Sequence, residues 1–269
     1  MSKTIAVIMS VYKSDNLYYF ETALNSMLNQ SYKCDIYIFI DGEIDKGILD
    51  IIYSYSKLDN VFYVKSNVNI GLAKALNNLI DLIIEHDYDY VARMDSDDIS
   101  HSDRIEKQVG FLNENSDISV VGTACHEFGA SFALDKKVLP TNHDDLRRFS
   151  VYRCPFVHPT VMFRSSIFNC GVRYPEDSPL TEDMALWFKL LDLGHRFSNI
   201  NECLLDYRLN EDTLIRRGGF KKGIIEFKLR MKYMLKLKLI SIKNILLISS
   251  RLVFHILPER VLKKMYMSR

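Results

Sequence analysis

One short stretch constrains the fold of this chain more than any other, because a predicted buried strand is followed at once by three acidic residues. Residues 90–94 are a mostly apolar run, and Asp95, Asp97 and Asp98 follow at once. Carboxylates this close raise one another's pKa values unless a cation lies among them. Mg2+ and Mn2+ take carboxylate oxygens and share them with substrate phosphates. The stretch therefore predicts a metal–diphosphate site, and an acidic loop that caps the next helix is the alternative.

The first hundred residues alternate between apolar runs and segments with helical periodicity. The predicted strands cover residues 4–11, 35–40, 61–65 and 90–94, and the predicted helices cover 15–29, 45–56 and 72–85. Strands that alternate with helices of this length indicate parallel βαβ units with right-handed crossovers. We therefore predict an α/β fold that opens with a Rossmann-like, nucleotide-binding half. Ligands of such sheets bind at the carboxyl ends of the strands, which is where the three aspartates fall.

The pattern becomes mixed after residue 100. A helix to about residue 114 and a strand at 119–124 precede a predicted hairpin or irregular loop over 128–140. An acidic helix start at 181–183 and short strands at 197–200 and 204–209 follow. This mixture predicts that the second half builds a second binding site onto the nucleotide-binding half.

The net charge of +1 conceals a strong asymmetry along the chain. Residues 216–269 hold 15 Lys and Arg against Glu226 and Glu259, a balance of +13 that leaves −12 for the remainder. Apolar residues such as Leu229 share this tail with cations such as Lys232, which is typical of amphipathic helices at a membrane interface. Helices that pack on the body with their lysines in solvent are the alternative. No recognition motif accompanies the charge, so we expect no nucleic-acid partner.

The cysteines and the apolar segments bear on the compartment. The five cysteines are odd in number and lack CxxC spacing, which indicates free thiols in a reducing compartment. The apolar run at the start lacks a basic region and a cleavage site, so we interpret it as a strand and not a signal peptide. No uncharged run reaches the roughly 18 residues of a spanning helix. We expect a cytoplasmic protein, held peripherally on the inner face of the cell membrane by its tail.

Five stretches resemble, in the same order, the motifs of family 2 glycosyltransferases, which transfer a sugar from a nucleotide-sugar donor. They are residues 8–12, 40–42, 69–73, 93–98 and 181–187. Residues 154–162 also resemble the branch that builds bacterial surface polysaccharides such as O-antigens. The resemblance implies a fold of the glycosyltransferase-A type, with a Rossmann-like nucleotide-binding half, a mixed sheet and a C-terminal helical basic tail.

The resemblance also implies a division of the chain. A catalytic domain would cover residues 1–215, with a nucleotide-binding half at 1–100 and an acceptor half at 101–215. The basic amphipathic tail would cover residues 216–269.

On the nucleotide side, the resemblance implies a role for each matched residue. Ser10, Val11 and Tyr12 would line the pocket for uracil and ribose. Asp41 would accept a hydrogen bond from the uracil ring N–H, and Gly71 would let the backbone approach the nucleotide. A simple turn residue is the alternative for Asp41, and a helix start is the alternative for Gly71.

The resemblance also implies that the acidic stretch and the arginine before it bind the diphosphate and its metal. Arg93 and Asp95 would lie at the ribose and diphosphate, while Asp97 and Asp98 would hold Mn2+ or Mg2+. The metal would assist the leaving group by neutralising the charge that grows on the diphosphate.

For the acceptor, the resemblance implies that Asp183 is the general base and that Glu182 is its neighbour or binds the acceptor. The alternative is that both acids stabilise the positive end of the helix that Thr181 opens. His158 would contact the acceptor or diphosphate, or else be an ordinary turn residue. Trp187 would stack on a sugar, or else be a core aromatic.

Two departures from relatives are visible. Many relatives carry a metal-assisting histidine where Asn210 stands here, so this position supplies no such ligand. The chain also lacks the Gln-x-x-Arg-Trp stretch of processive synthases, so we expect one sugar per acceptor.

The resemblance thus implies an inverting, metal-dependent transfer of a hexose, with galactose or glucose as the first candidates. The donor would be a UDP-sugar, and the acceptor would be a saccharide linked to polyprenyl diphosphate in O-antigen or capsule synthesis. The rival is a non-catalytic nucleotide- or polyanion-binding protein with a degenerate site.

Overall fold

The fold is given by a computed structural model that describes residues 4–178, 181–216, 218–255 and 257–267. Within these residues eight strands form one sheet. The strands are β1 Ile5–Tyr12, β2 Asp35–Asp41, β3 Val61–Ser66, β4 Tyr90–Arg93, β5 Ile99–Ser100, β6 Ile118–Phe128, β7 Met162–Arg164 and β8 Arg196–Arg208.

Helices cover both faces of the sheet and form the C-terminal tail. The α-helices are α1 Leu17–Leu28, α2 Lys46–Tyr55, α3 Leu72–Ile83, α4 Arg104–Glu114, α5 His143–Ser150, α6 Ser166–Asn169, α7 Glu182–Asp192, α8 Thr213–Arg216, α9 Phe220–Lys236, α10 Ile242–Phe254 and α11 Glu259–Met267. A short 3-10 helix at His158–Thr160 precedes β7.

The strand order is β3-β2-β1-β4-β7-β6-β8-β5. The four strands of the first half run parallel, whereas β7 is antiparallel to both β4 and β6. Strand β8 returns parallel to β6 and pairs antiparallel with β5. The predicted mixed sheet with a parallel nucleotide-binding half is confirmed, and the division at residue 215 stays a prediction.

Strand β1 shows why the parallel half buries both of its faces. Successive side chains of a strand point to opposite faces. Val7 and Met9 pack in the core that includes Phe20 of α1, whereas Ala6 and Ile8 pack in the core beneath α3. A strand covered on both faces needs a continuous apolar run, and the sequence of β1 provides one.

Three predicted elements differ in detail from the structure. The two short strands predicted over 197–209 form the single strand β8, whose register against β6 shifts between Thr123 and Ala124. Helix α1 begins after Asn16, whose side chain accepts from the N–H of Tyr19, and not after Ser14. The loop after β6 is partly a hairpin, because Cys125 and Lys137 form an antiparallel bridge.

The tail packs on the body through one side of each helix. Tyr233 of α9 stacks on Phe188 of α7 with ring centroids 4.9 Å apart, and Tyr266 of α11 packs edge-on against Phe132. The opposite side exposes apolar residues, including Ile242 at 79% and Leu246 at 65%. Among the described residues, no helix is both long enough and apolar enough to cross a membrane. The tail therefore packs on the body, as the second alternative expects, and contact with a membrane stays a prediction.

Candidate active site

The acidic loop, Asp95–Asp98, follows β4 at the carboxyl edge of the parallel strands. Oxygens of Asp95, Asp97 and Asp98 lie within 4.8 Å of one another. Asp98 is fully buried, and its Oδ1 accepts from the backbone N–H of Arg208 at 2.7 Å. Its Oδ2 has no hydrogen-bond partner. A buried carboxylate oxygen without a partner is costly, so this group is built to meet a ligand.

Burial and mutual repulsion disturb the protonation of this loop. Burial, reinforced by the charges of Asp95 and Asp15, raises the pKa of Asp97 to about 7. Burial and the same crowding also raise the pKa of Asp98 well above its usual range. A divalent cation relieves both effects, because it replaces repulsion among the acids with attraction. The oxygen donors and the orphaned Oδ2 of Asp98 fit Mg2+ or Mn2+.

Asp15 is a fourth acid at this edge that the sequence reasoning missed. Burial raises its pKa to about 6, although its carboxylate accepts from the N–H of Tyr12 at 2.8 Å. The residue follows β1, which is the neighbour of β4 in the sheet. The rule that drew attention to Asp95 also applies to Asp15, because adjacent parallel strands end at one edge.

Two arginines contact the acidic loop through different residues. Arg93 is 1% exposed, pairs with Asp95 and donates to the carbonyl of Ile8, so it reaches the site through Asp95. Arg208 donates through Nε to the carbonyl of Asp97 at 2.7 Å. Sequence reasoning missed Arg208, because it ends an antiparallel strand far from the loop along the chain.

Aromatic rings hold the Arg208 guanidinium in place. It lies 3.7 Å from the ring centroid of Tyr19 and 4.4 Å from that of Phe128. Asn210, where the resemblance led us to look for a histidine, is exposed, and its backbone N–H donates to the hydroxyl of Thr213. The contact from this segment to the acidic loop is therefore made by Arg208.

The predicted nucleotide residues meet at the ends of β1 and β2. Both oxygens of Asp41 accept backbone N–H groups, from Ile70 at 2.6 Å and from Gly71 at 3.0 Å. Gly71 opens α3 with φ +86°, which a side chain rarely adopts. At the neighbouring turn, a Cβ on Gly42 would lie 2.8 Å from the backbone N of Asn69. These contacts hold the turn at Asp41 close to the start of α3.

The end of β1 presents its three predicted residues differently. Ser10 is half-buried and Tyr12 is 40% exposed. The side chain of Val11 is fully buried in the core, so only its backbone can line a nucleotide pocket. That Ser10, Val11 and Tyr12 line a pocket for uracil and ribose stays a prediction.

A single cleft of about 570 Å³ joins the acidic loop to the predicted base. Asp95, His158, Glu182 and Asp183 all line it. Asp183 lies in the first turn of α7, where its Oδ1 accepts from the N–H of Met184 at 2.7 Å. Its Oδ2 has a weak donor in reach, the Cys154 thiol at 3.7 Å. The structure therefore brings Asp95 and Asp183 to one cavity, although the chain separates them widely.

Burial governs the other polar groups of this cleft. It raises the pKa of Glu182 above its usual range. Burial, with the charge of Arg93, lowers the pKa of His158 to about 4, so the imidazole is neutral at neutral pH. The His158 Nε2 lies 2.9 Å from the hydroxyl of Tyr174. His158 therefore offers a neutral hydrogen-bonding group here, not a cation.

Trp187 belongs to the core and not to the cleft. It is fully buried, stacks on Phe163 with centroids 5.7 Å apart, and meets Phe156 edge-on at 4.9 Å. Its position on α7 turns it toward the sheet, whereas Glu182 and Asp183 begin the helix at the cleft. The predicted stacking of Trp187 on a sugar is corrected, because no face of the ring is accessible.

Known proteins resemble this one in sequence and in fold. Residues 6–171 match the family described as Glycosyl transferase family 2. An uncharacterized glycosyltransferase of Haemophilus influenzae is 31% identical over 97% of this chain and 97% of its own length. The UDP-Gal:alpha-D-GlcNAc-diphosphoundecaprenol beta-1,3-galactosyltransferase of Escherichia coli is 32% identical over 83% of this chain and 80% of its own.

The crystal structure of S. aureus TarS 1-349 in complex with UDP-GlcNAc has the same fold. It superposes with a TM-score of 0.69 at 17% identity, over 94% of this chain and 72% of that one. This likeness and the mixed sheet identify a fold of the glycosyltransferase-A type. Since the family match spans well over half of the residues and two relatives exceed 30% identity, the chain belongs to glycosyl transferase family 2.

Proposed function

We propose that this protein is an inverting, metal-dependent hexosyltransferase. It moves galactose or glucose from a UDP-sugar to a saccharide on a lipid diphosphate, in O-antigen or capsule synthesis. One observation carries the proposal: Asp95 of the acidic loop and Asp183 of α7 line the same cleft. The E. coli relative, which by its name uses UDP-Gal and an acceptor on diphosphoundecaprenol, supports the choice of substrates.

Each acid of the acidic loop and of the start of α7 has one task in this reaction. Asp97 and Asp98 would hold Mn2+ or Mg2+, with Asp95 beside them at the diphosphate. The bound metal supplies Lewis-acid stabilisation of the leaving UDP. Arg93 and Arg208 keep the loop in place through their contacts with Asp95, Asp97 and Asp98.

Asp183 takes the proton from the acceptor hydroxyl as that oxygen attacks the anomeric carbon. The carboxylate is suited to this task because the donor in reach of its Oδ2 is a thiol, which is weak. Glu182 beside it positions the acceptor. A general base in this position contributes typically ~10²–10⁴ in rate.

The decisive experiment measures UDP release. The assay contains Mn2+, a UDP-sugar and a soluble acceptor that carries GlcNAc on an alkyl diphosphate. We expect Asp183→Asn to lower kcat by about 10²–10⁴ while UDP binding stays unchanged, since the amide cannot accept the proton. Asp192→Asn, at the other end of α7 and outside the cleft, is the matched control. Full turnover by Asp183→Asn would refute the assignment of the base.

The rival function, a non-catalytic nucleotide-binding protein, gives a different result in the same assay. The unaltered protein would then bind UDP but release none from any nucleotide sugar in a panel of UDP- and GDP-sugars. Hydrolysis or transfer of one of these donors excludes the rival and identifies the donor.

We also propose that the tail holds the enzyme on the cytoplasmic face of the membrane. Exposed apolar residues on α10 lie beside the cations of α9 and α10, and apolar residues with neighbouring cations bind anionic lipid. We expect Ile242→Ser with Leu246→Ser to abolish flotation with phosphatidylglycerol vesicles. Leu58→Ser, at an exposed apolar site of the body, should float as before. Unchanged flotation of the double variant would remove this part of the proposal.

A further inference from the structure

The tail does more than cover the body, because it supplies one wall of the cleft. Lys222, Phe254 and Leu262 line the cleft from the three helices of the tail. Body residues such as Arg153 complete the same region. The lining thus combines cations and apolar side chains with the acids Asp95, Glu182 and Asp183.

Several cations of this wall are already neutralised within the fold. The tail cluster consists of Glu226, Arg230, Arg251 and His255, and its Glu226 binds Arg230 at 2.7 Å and Arg251 at 2.6 Å. Arg230 also donates to the carbonyls of Ser150 and Val151. These contacts join α9 to α10 and to the body, so this cluster is structural.

Lys222 and Arg153 lie outside the tail cluster and line the same cleft as Glu182 and Asp183. The Lys222 charge acts on Glu182 and opposes the effect of burial on that carboxyl. The guanidinium of Arg153 lies over the ring of Phe149 at 5.9 Å. Arg153 precedes Cys154, whose thiol contacts Asp183. Lys222 and Arg153 are therefore two cations in the cleft whose acids would receive the acceptor sugar.

We infer that Lys222 and Arg153 bind the diphosphate of the acceptor, and that the apolar residues of the tail wall receive the start of its lipid. This inference rests on the proposed function, because it assumes that the acceptor sugar lies at Asp183. An acceptor of this class carries sugar, diphosphate and lipid in that order. The lining of the cleft offers all three matching chemistries, which are acids, cations and apolar side chains. Charge-assisted hydrogen bonds from Lys and Arg are the usual means of holding such a diphosphate.

The test compares two soluble acceptors that share GlcNAc and a short alkyl chain, of which one carries the diphosphate and the other lacks it. Lys222→Gln and Arg153→Gln should each raise KM for the diphosphate acceptor by about 10-fold or more, because a charge-assisted bond is lost. Neither variant should change KM for the UDP-sugar, or KM for the acceptor without diphosphate, by more than about twofold.

Matched controls remove the same charge outside the cleft. Lys221→Gln changes the exposed neighbour of Lys222 on α9, and Arg148→Gln changes an exposed arginine of α5. Both controls should keep the KM of the unaltered protein for both acceptors. The assay contains no vesicles, so a change in membrane binding cannot imitate the effect.

The outcomes separate the inference from the function on which it rests. Equal losses on both acceptors, or no loss on the diphosphate acceptor, overturn the diphosphate site while transfer itself stands. A raised KM for the UDP-sugar would assign these cations to the donor and also overturn it. If the unaltered protein transfers to neither acceptor although it binds UDP, the proposed function fails first.

Discussion

Two groups of charged side chains, the acidic loop and the tail cluster, contribute residues to the same cleft, and their electrostatics are opposite. In the acidic loop, burial and like charges raise the pKa values of Asp97 and Asp98, and an oxygen of Asp98 lacks a partner. In the tail cluster, burial alone would raise the pKa of Glu226, but its bond with His255 and the charges of two arginines hold it well below its usual range.

This difference distinguishes a group that awaits a ligand from one that completes the fold. Buried charges are tolerated when they are paired and hydrogen-bonded, as in the tail cluster. An unpaired group persists where a ligand supplies the missing charge, and such groups concentrate at functional sites. The comparison predicts opposite responses when one carboxylate is removed from each group.

The largest effect is expected at the acidic loop. Asp98→Asn should lower transfer by roughly 10²-fold or more, since a bound metal contributes several kcal/mol to the transition state. The same variant should unfold at a higher temperature than the unaltered protein without metal, because it removes a buried, repelled charge. Melting with EDTA and with Mn2+ measures both effects. If Asp98→Asn without metal were less stable than the unaltered protein without metal, the contrast between the acidic loop and the tail cluster would be wrong.

At the tail cluster the corresponding change should destabilise the protein. Glu226→Gln leaves the charges of Arg230 and Arg251 buried without a carboxylate, which costs about 3–5 kcal/mol. Urea denaturation measures the loss. Glu259→Gln, which affects an exposed pair with Lys263, should cost less than about 1 kcal/mol. Equal stabilities for the two variants would show that the cluster does not hold the tail.

Much of the parallel half could be predicted because its signals are local. Strand β1 buries both faces and reads as one apolar run, and Asp41, Gly71 and Asp95 each lie at a strand end or helix start. Residues at the ends of parallel strands converge whatever the detailed packing. Asp15 was missed although the same rule would have found it.

The structure of the second half could be predicted less well, because it depends on contacts between residues far apart in the sequence. Arg208 reaches the acidic loop across the antiparallel pairing of β5 and β8. The orientation of Trp187 follows from how α7 packs on the sheet, and helical periodicity alone does not decide which apolar face is fully covered. The tail wall of the cleft, including Lys222, arises only when three helices dock on the body.

Arg208 provides a smaller test of the comparison. Its side chain fixes the acidic loop from outside, so Arg208→Gln should weaken Mn2+ binding by about 10–100-fold, as loss of an outer partner of a metal site typically does. Titration calorimetry with Mn2+ measures the change. Arg216→Gln, at an exposed arginine of α8, should bind Mn2+ normally. Normal binding by Arg208→Gln would mean that the loop holds its shape unaided.

The smallest effect should come from Asp15 and depends on pH. Its folded pKa of about 6 exceeds the ordinary 3.8, so the folded protein binds more protons between these values. Metal-free stability from this group therefore falls as pH rises through that window, and remains low above it. His158 contributes with the opposite sign, because its pKa is lowered to about 4. The difference in melting temperature between Asp15→Asn and the unaltered protein isolates the effect of Asp15, because both proteins contain His158.

Asp15→Asn should match the unaltered protein near pH 4 and melt about 2–4 °C higher at pH 8, for a gain on the order of 1 kcal/mol. Asp59→Asn, at an exposed acid, should show no such divergence. Saturating Mn2+ should shrink the difference, because the cation then offsets the charge that Asp15 repels. A melting-temperature difference that is constant from pH 4 to pH 8 would show that the acidic loop does not act on the charge of Asp15.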